Sequence, residues 1–566
     1  MFRNEIVNPQ FARRNFECLN GKWRFVIKND GVEILDTKIE VPFCPESEFS
    51  GIGYKDFIKE CEYERTFQIT KINEDERITI CFGAVDYEAW VYVNGKLAGK
   101  HRGGYTPFAV EVTDLVVEGE NFLKVKVYDD TVANQPTGKQ SMRLEPYRCF
   151  YTRTTGIWQT VWIERTPKQY LKSVKFYPNV EKSNVAIELV GEVEADAKIE
   201  IFYQGKLVGK ADTHVKYKNM VEVALSEKHL WEPGKGRLYD VTIKFGEDVV
   251  DSYFGLREVK FDGYKFLVNG KSVFQRFVLD QGYYPKGQYT PIDVKQFSED
   301  IDLCYKLGFN GARLHQKVFE PRYLYECDKK GFMVWGEFPS WGTLCENLEG
   351  YGDFIGEWIA VVERDFNHPS IITWCPLNET WYNFYDDRKI RDVRFVDAVY
   401  QTTKIIDKTR PCVDVSGGYH GNKTDLFDVH CYLGHDILKK HIENLQNKDI
   451  ITTDQTFAPL WTGENIPYKG EPVNVSEYGG IAYRTDGSKG WGYKASCSEE
   501  EFVQNYINLT KSIMDSNKIS GFCYTQLYDV EQEQNGLADS QRRIKVSEEG
   551  LKRILACNNA KAKIEE

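Results

Sequence analysis

From residue 273 to residue 525 short apolar runs recur, most of them separated by a stretch with helical spacing. That alternation limits the fold more than any other feature of the chain. The runs lie at 273–280, 311–314, 332–335, 371–375, 412–415, 427–430, 473–476 and 521–525. Between the first two, Val294, Phe297, Ile301 and Cys304 follow one another at intervals of three and four, the stripe of an amphipathic helix over 293–307. Gly308 suits the end of that helix, and Pro321 suits the first turn of the next. Eight such units in roughly 290 residues predict a (β/α)8 barrel over 259–566, with an active site at the C-terminal ends of its strands.

The residues ahead of the barrel have the spacing of strands. Runs at 77–82, 88–93 and 122–128 mix alternation with β-branched and aromatic side chains. Asn94-Gly95, between two such runs, marks a hairpin because both residues accept positive φ. No helical period of useful length appears before about residue 165. An antiparallel jelly roll is predicted for 1–165, closed by Gly156-Ile157-Trp158 and a strand at 160–164. Shorter runs at 171–176, 185–189, 199–203, 221–225 and 239–245 predict an immunoglobulin-like β-sandwich for 166–258. Asn269-Gly270 predicts a further hairpin at the barrel entrance.

Charge and composition exclude several functions. With 73 Lys and Arg against 85 Asp and Glu the net charge is −12, which disfavours nucleic acid or an anionic membrane as the main partner. No apolar run reaches the ~18 residues of a membrane span, and the opening MFRNEIVNPQ has no apolar signal core. Fourteen cysteines are scattered without a CxxC pair, as in a chain kept reduced, so a cytoplasmic location is expected. Aromatic residues make up 14% of the chain. They suit sugar faces and β-sandwich cores equally well.

The strand-end rule then selects the chemistry. Glu337 follows the third strand, Glu379 the fourth and Glu477 the seventh. The fourth and seventh strands of an eight-stranded barrel face each other across its mouth. Two carboxylates so placed meet the needs of glycoside hydrolysis: one acid to protonate the leaving oxygen, one carboxylate to attack the anomeric carbon. A lone Glu at a strand end more often forms a structural ion pair.

Longer runs carry a resemblance. Arg364-Asp365-Phe366-Asn367-His368-Pro369-Ser370, continuing to Leu377-Asn378-Glu379, resembles the signature of glycoside hydrolase family 2, which holds β-galactosidases, β-glucuronidases and β-mannosidases. Gly156-Ile157-Trp158, Phe254-Gly255-Leu256-Arg257, Asn269-Gly270 and Ser476-Glu477-Tyr478-Gly479-Gly480 match it too, in the family's order. The resemblance implies Glu379 as general acid/base, Glu477 as nucleophile and Asn378 as the residue that holds the sugar 2-hydroxyl. It implies Tyr432 as a donor to the nucleophile, and Asp280 and Arg313 as glycon-site residues. Arg313 equally suits a structural salt bridge or a charge partner for Glu477. His430 suits either orienting a hydroxyl, the expected role, or capping a strand. Trp341 and Trp381, beyond the third and fourth strands, suit either sugar stacking or packing of the barrel rim.

Some positions depart from the family. Arg313-Leu314-His315-Gln316-Lys317 displaces the usual histidine, which leaves His315 and Gln316 as candidates. Tyr524 stands where a Trp is usual, and Phe150 where the large β-galactosidases carry an Asp. The uronate-binding Asn-x-Lys pair of β-glucuronidases is replaced by Asn535-Gly536-Leu537, although Lys317 could supply a cation. The expected function is a retaining exo-β-glycosidase acting on a terminal β-linked sugar, galactose first. Other family glycons, transglycosylation and a non-catalytic carbohydrate-binding protein are the alternatives. No metal cluster and no cofactor are expected, and the family implies a homo-oligomer.

Overall fold

The computed structural model describes residues 3–130, 134–345, 348–380, 392–451, 468–484, 490–496 and 498–566. The N-terminal jelly roll pairs two antiparallel sheets. One orders Phe16–Cys18, Val161–Pro167, Glu76–Phe82 and Phe108–Glu111; the other orders Val32–Val41, Gly21–Asn29, Glu60–Ile69, Gly119–Tyr128, Glu88–Val93 and Lys96–Arg102. Alternation along these strands buries one face of each in a shared core with Trp23, Phe25, Tyr63, Ile80, Val91 and Val125. Asn94 and Gly95 turn the predicted hairpin with φ of 49° and 79°.

Seven strands form the immunoglobulin-like sandwich, three in one sheet and four in the other. Its core gathers Leu171, Phe176, Ile187, Ile199, Tyr239 and Phe254. A small sheet of Val259–Asp262, Lys265–Val268 and Lys271–Ser272 follows, turned at Asn269. Its Phe266 and Val268 pack with barrel residues Phe277, Met333, Trp335 and Ile372.

Seven parallel strands then curl in the order Ile371–Cys375, Met333–Glu337, Gly311–Leu314, Gln275–Asp280, Ile519–Thr525, Val473–Gly479 and Phe427–Cys431. The predicted fifth strand is a correction. Residues 412–416 run parallel to the fourth strand through two isolated bridges, Trp374 to Cys412 and Asn378 to Ser416. On the far side their amides donate to side chains: Cys412 N to Asp425 Oδ2 at 2.9 Å and Asp414 N to Thr424 Oγ1 at 3.1 Å. Side chains that take backbone donors interrupt the ladder. The loop that follows is too short for a crossover helix, and none is found there. Helices elsewhere behave as their sequences require. Lys295–Lys306 buries Phe297, Ile301 and Cys304, and Pro321 opens Pro321–Lys330. Among the described residues no helix is long and apolar enough to cross a membrane.

Candidate active site

Glu379 leaves the fourth barrel strand with φ of 44°. Its amide donates to Ser416 O at 3.0 Å, and the preceding Asn378 amide donates to Ser340 Oγ at 3.0 Å. The seventh strand slips in register against both of its neighbours near Ser476 and Glu477. Such an irregularity re-aims a side chain, here into the mouth of the barrel.

One buried guanidinium organises the floor. Arg313 donates Nε and Nη2 to Glu337 at 2.6 and 3.1 Å, Nη1 to Glu477 Oε1 at 2.8 Å, and Nη2 to Asn378 Oδ1 at 2.6 Å. Arg313 is therefore both a salt bridge and the charge partner of Glu477. Tyr432 donates its hydroxyl to Glu477 Oε2 at 2.5 Å. His430 Nδ1 lies 2.7 Å from Glu379 Oε1 and 3.5 Å from Glu477 Oε2. Its Nε2 meets Ser416 and Ser476 at 3.0 and 3.1 Å.

These contacts set the charges. Burial alone would raise the Glu477 carboxyl, but His430 and Arg313 outweigh burial and hold it well below the usual range. It is ionised at neutral pH. Burial likewise works against the His430 imidazolium, and Glu477 and Glu379 reverse that, so its pKa is raised. Burial pushes Glu337 up to about 7 against the pull of Arg313. His315, whose Nδ1 lies 2.9 Å from Glu337, is shifted down by burial, Lys139 and Arg313 and stays neutral. Glu379, His430 and Glu477 each present one ligand atom within 4.8 Å of the others, a spacing that could hold a cation. Within this group His430 hydrogen-bonds to Glu379, and from outside it Tyr432 donates to Glu477.

Not every expected residue reaches this site. Asp280 is buried and accepts from Gly282 N at 2.9 Å, Tyr528 Oη at 2.6 Å and Tyr323 Oη at 2.9 Å, which engages it in the barrel frame. Tyr524 packs its ring with Tyr478 and with Tyr506 of the outer helix Glu499–Met514. Side chains alternate along a strand, so it is Thr525 that meets Tyr432, at 3.0 Å. Lys317 is engaged within the protein. Its ammonium donates to Gly282 O and Tyr289 O at 2.7 Å each and lies among the rings of Trp158, Tyr289 and Phe319. Burial brings it down to about 7. Gln316 Oε1 accepts from Trp341 N at 3.3 Å. Trp341 Nε1 donates to Asn378 O at 3.2 Å. Trp381 lies outside the described residues.

Further residues adjoin the site, Lys139, Tyr493 and Glu533 without any signal in the sequence analysis and Phe150 only as a departure from the family. Lys139 and Phe150 come from the jelly roll. The Lys139 ammonium lies 4.3 Å from the centre of a Trp341 ring, and Phe150 lies 5.3 Å from Trp341. Tyr493 stacks on Tyr432 at 3.5 Å. Glu533 accepts from Tyr151 and from Asn535 Nδ2.

Comparison with known proteins fits this geometry. Three family models match in succession: the sugar-binding domain of glycosyl hydrolases family 2 over residues 54–167, the glycosyl hydrolases family 2 domain over 169–257, and the family's TIM barrel domain over 259–555. The chain belongs to glycosyl hydrolase family 2. Among its relatives within the family, the β-glucuronidase of Streptococcus agalactiae is 25% identical over 531 residues, covering 81% of this chain and 86% of that protein. The β-galactosidase of Thermoanaerobacter pseudethanolicus is 25% identical over 438 residues, covering 74% and 56%. The Lactobacillus rhamnosus β-glucuronidase shares the family 2 fold with a TM-score of 0.80 at 18% identity, covering 99% of each chain. A β-galacturonidase from Eisenbergiella tayi bound to galacturonate gives 0.75 at 20% identity, covering 98% and 99%.

Proposed function

We propose that this family 2 enzyme is a retaining exo-β-glycosidase that works by double displacement. The observation that carries this reading is the carboxylate pair: Glu379 and Glu477 bring oxygens within 4.8 Å of each other. So close an approach suits the retaining arrangement and leaves little room for the attacking water that inverting enzymes hold between carboxyl groups ~6.5–9.5 Å apart. Glu477, ionised and aimed by Arg313 and Tyr432, attacks the anomeric carbon as the bond to the aglycon breaks. Glu379 gives its proton to the departing oxygen. It then takes a proton from water, whose oxygen displaces Glu477 and releases the sugar with its β configuration restored. Asn378 is held through Oδ1 by Arg313, while its Nδ2 has no partner among the described residues and suits a sugar hydroxyl.

The glycon divides the reading. Galactose and uronic acids both appear in the relatives' names, and the buried cation Lys139 favours an acidic sugar over galactose. The test is hydrolysis of a panel of nitrophenyl β-glycosides, galactoside, glucuronide and galacturonide included, with the first-formed product read by NMR. The β-anomer is expected first. Initial release of the α-anomer overturns retention, and absence of turnover across the panel overturns the glycosidase reading.

A further inference from the structure

Lys139 is supplied by the jelly roll, in the loop between Gly119–Tyr128 and Gly156–Ile157. The loop is docked on the barrel by its backbone. Thr137 N donates to Trp341 O at 2.8 Å, and Asn134 N donates to Gly342 O at 3.0 Å. Gly138 has φ of 59°, and a Cβ there would lie 2.2 Å from Gln316 O, so only glycine allows this approach. The next residue is thereby fixed: Lys139 O accepts from Tyr151 N at 2.8 Å.

Lys139 is 5% exposed. It lies over Trp341, whose indole is tied to Asn378 O beside Glu379. Among the described residues its ammonium makes no hydrogen bond and no ion pair. The surrounding carboxylates are engaged elsewhere: Glu477 by Arg313 and Tyr432, Glu379 by His430, Glu533 by Tyr151 and Asn535. Burial opposes this cation, but Cys149, Glu533, Glu477 and Glu379 raise its pKa overall, so it stays charged. A desolvated ammonium without a partner is costly unless a ligand completes it. Lys317 shows the contrast, since it is equally buried but satisfied by two carbonyls.

We propose that Lys139 is the substrate-facing cation of the site and binds the carboxylate of a uronic acid held as the glycon. This deepens the glycosidase reading and rests on it. With the Trp341 indole against one side of the ammonium, a carboxylate meeting it from another side would form a charge-assisted hydrogen bond. At the Asn535 loop, Asn535 Nδ2 is spent on Glu533 and the neighbouring Lys545 ammonium on Asp529 and Gln534 O.

The experiment compares wild type with Lys139→Met, Lys139→Gln and Lys139→Arg on aryl β-glucuronide, β-galacturonide and β-galactoside. Wild type is expected to prefer a uronide. Lys139→Met and Lys139→Gln should lower the uronide-to-galactoside ratio of kcat/KM by about 100-fold, mostly through KM, and Lys139→Arg should restore part of it. Each variant is checked for an unchanged melting temperature, and either of the two neutral substitutions suffices. A wild type that prefers the galactoside overturns the assignment, as does a ratio unmoved by the neutral variants. Should no glycoside turn over, the glycosidase reading fails by itself. Calorimetry with free D-glucuronate and D-galacturonate then decides on Lys139: binding lost in Lys139→Met supports it, and no binding to wild type overturns it.

Discussion

The strand Ile371–Cys375 has a docking joint at one end and the reaction at the other. Below it, Asn367 Nδ2 donates to Val174 O at 2.8 Å and Oδ1 accepts from Phe176 N at 2.9 Å, clasping an edge of the immunoglobulin-like sandwich. His368 Nδ1 lies 2.6 Å from Asp328, which also accepts from Tyr253 Oη and Ser370 N. Arg410 donates to Phe366 O and His368 O at 2.7 and 2.9 Å. Above the strand, Asn378 and Glu379 belong to a group of carboxylates crowded within reach of Arg313 and His430. Polar contacts at the lower end hold two domains in register. Those at the upper end keep one carboxylate charged beside its neighbours. A single motif, from Arg364 to Glu379, encodes both.

Substitutions can break this division. Glu477→Ala should lower kcat/KM on any accepted aryl glycoside by roughly 10^4-fold or more while the fold persists; substantial residual turnover would remove Glu477 from the mechanism. Glu379→Ala should cost ~10^2–10^4-fold on substrates with poor leaving groups and far less on dinitrophenyl glycosides, which need no proton. Equal losses on both would deny it the acid role. At the lower end His368→Ala leaves Asp328 buried without its imidazole. It should cost about 3–5 kcal/mol in chemical denaturation, with kcat of the folded protein kept. A fall in kcat without loss of stability would show that the two ends are not separate.

Smaller effects sharpen the contrast. The Glu477 carboxyl is held below its unfolded value, so its ionised form adds stability that is fully present above about pH 4.5 and is lost as pH falls through the folded value. Unfolding in urea at pH 7 and pH 3 should show a loss on the order of 1–2 kcal/mol larger in wild type than in Glu477→Gln. A matching slope in both proteins would mean that Glu477 is not electrostatically stabilised. Tyr432→Phe removes one hydrogen bond to an ionised carboxylate and should lower kcat/KM by about 10-fold. An unchanged rate would make the contact incidental.

Much of this was legible in the chain. Periodicity separates the two sandwiches from the barrel because strands and helices bury different faces. The strand-end rule finds Glu337, Glu379 and Glu477, the family resemblance adds Asn378, Arg313 and Tyr432, and the fold brings these together with His430. Asp280 and Tyr524 lie apart from that group, since a position at the end of a strand does not fix a direction around it. Lys317 follows the second strand closely, yet points into the seam beneath the jelly roll. The run at 412–415 has the composition of a strand, but the side chains of Thr424 and Asp425 take the amides a neighbour would have paired. No spacing within the barrel could announce Lys139, since it arrives from another domain.

Because the loop carrying Lys139 and Phe150 rests on the barrel through main-chain hydrogen bonds, its seating depends little on which side chains it displays. On the role proposed for Lys139, the choice of sugar comes from one domain and bond cleavage from another. Transplanting residues 134–155 between family members offers a way to reassign the preferred sugar while the machinery that cuts it is inherited intact.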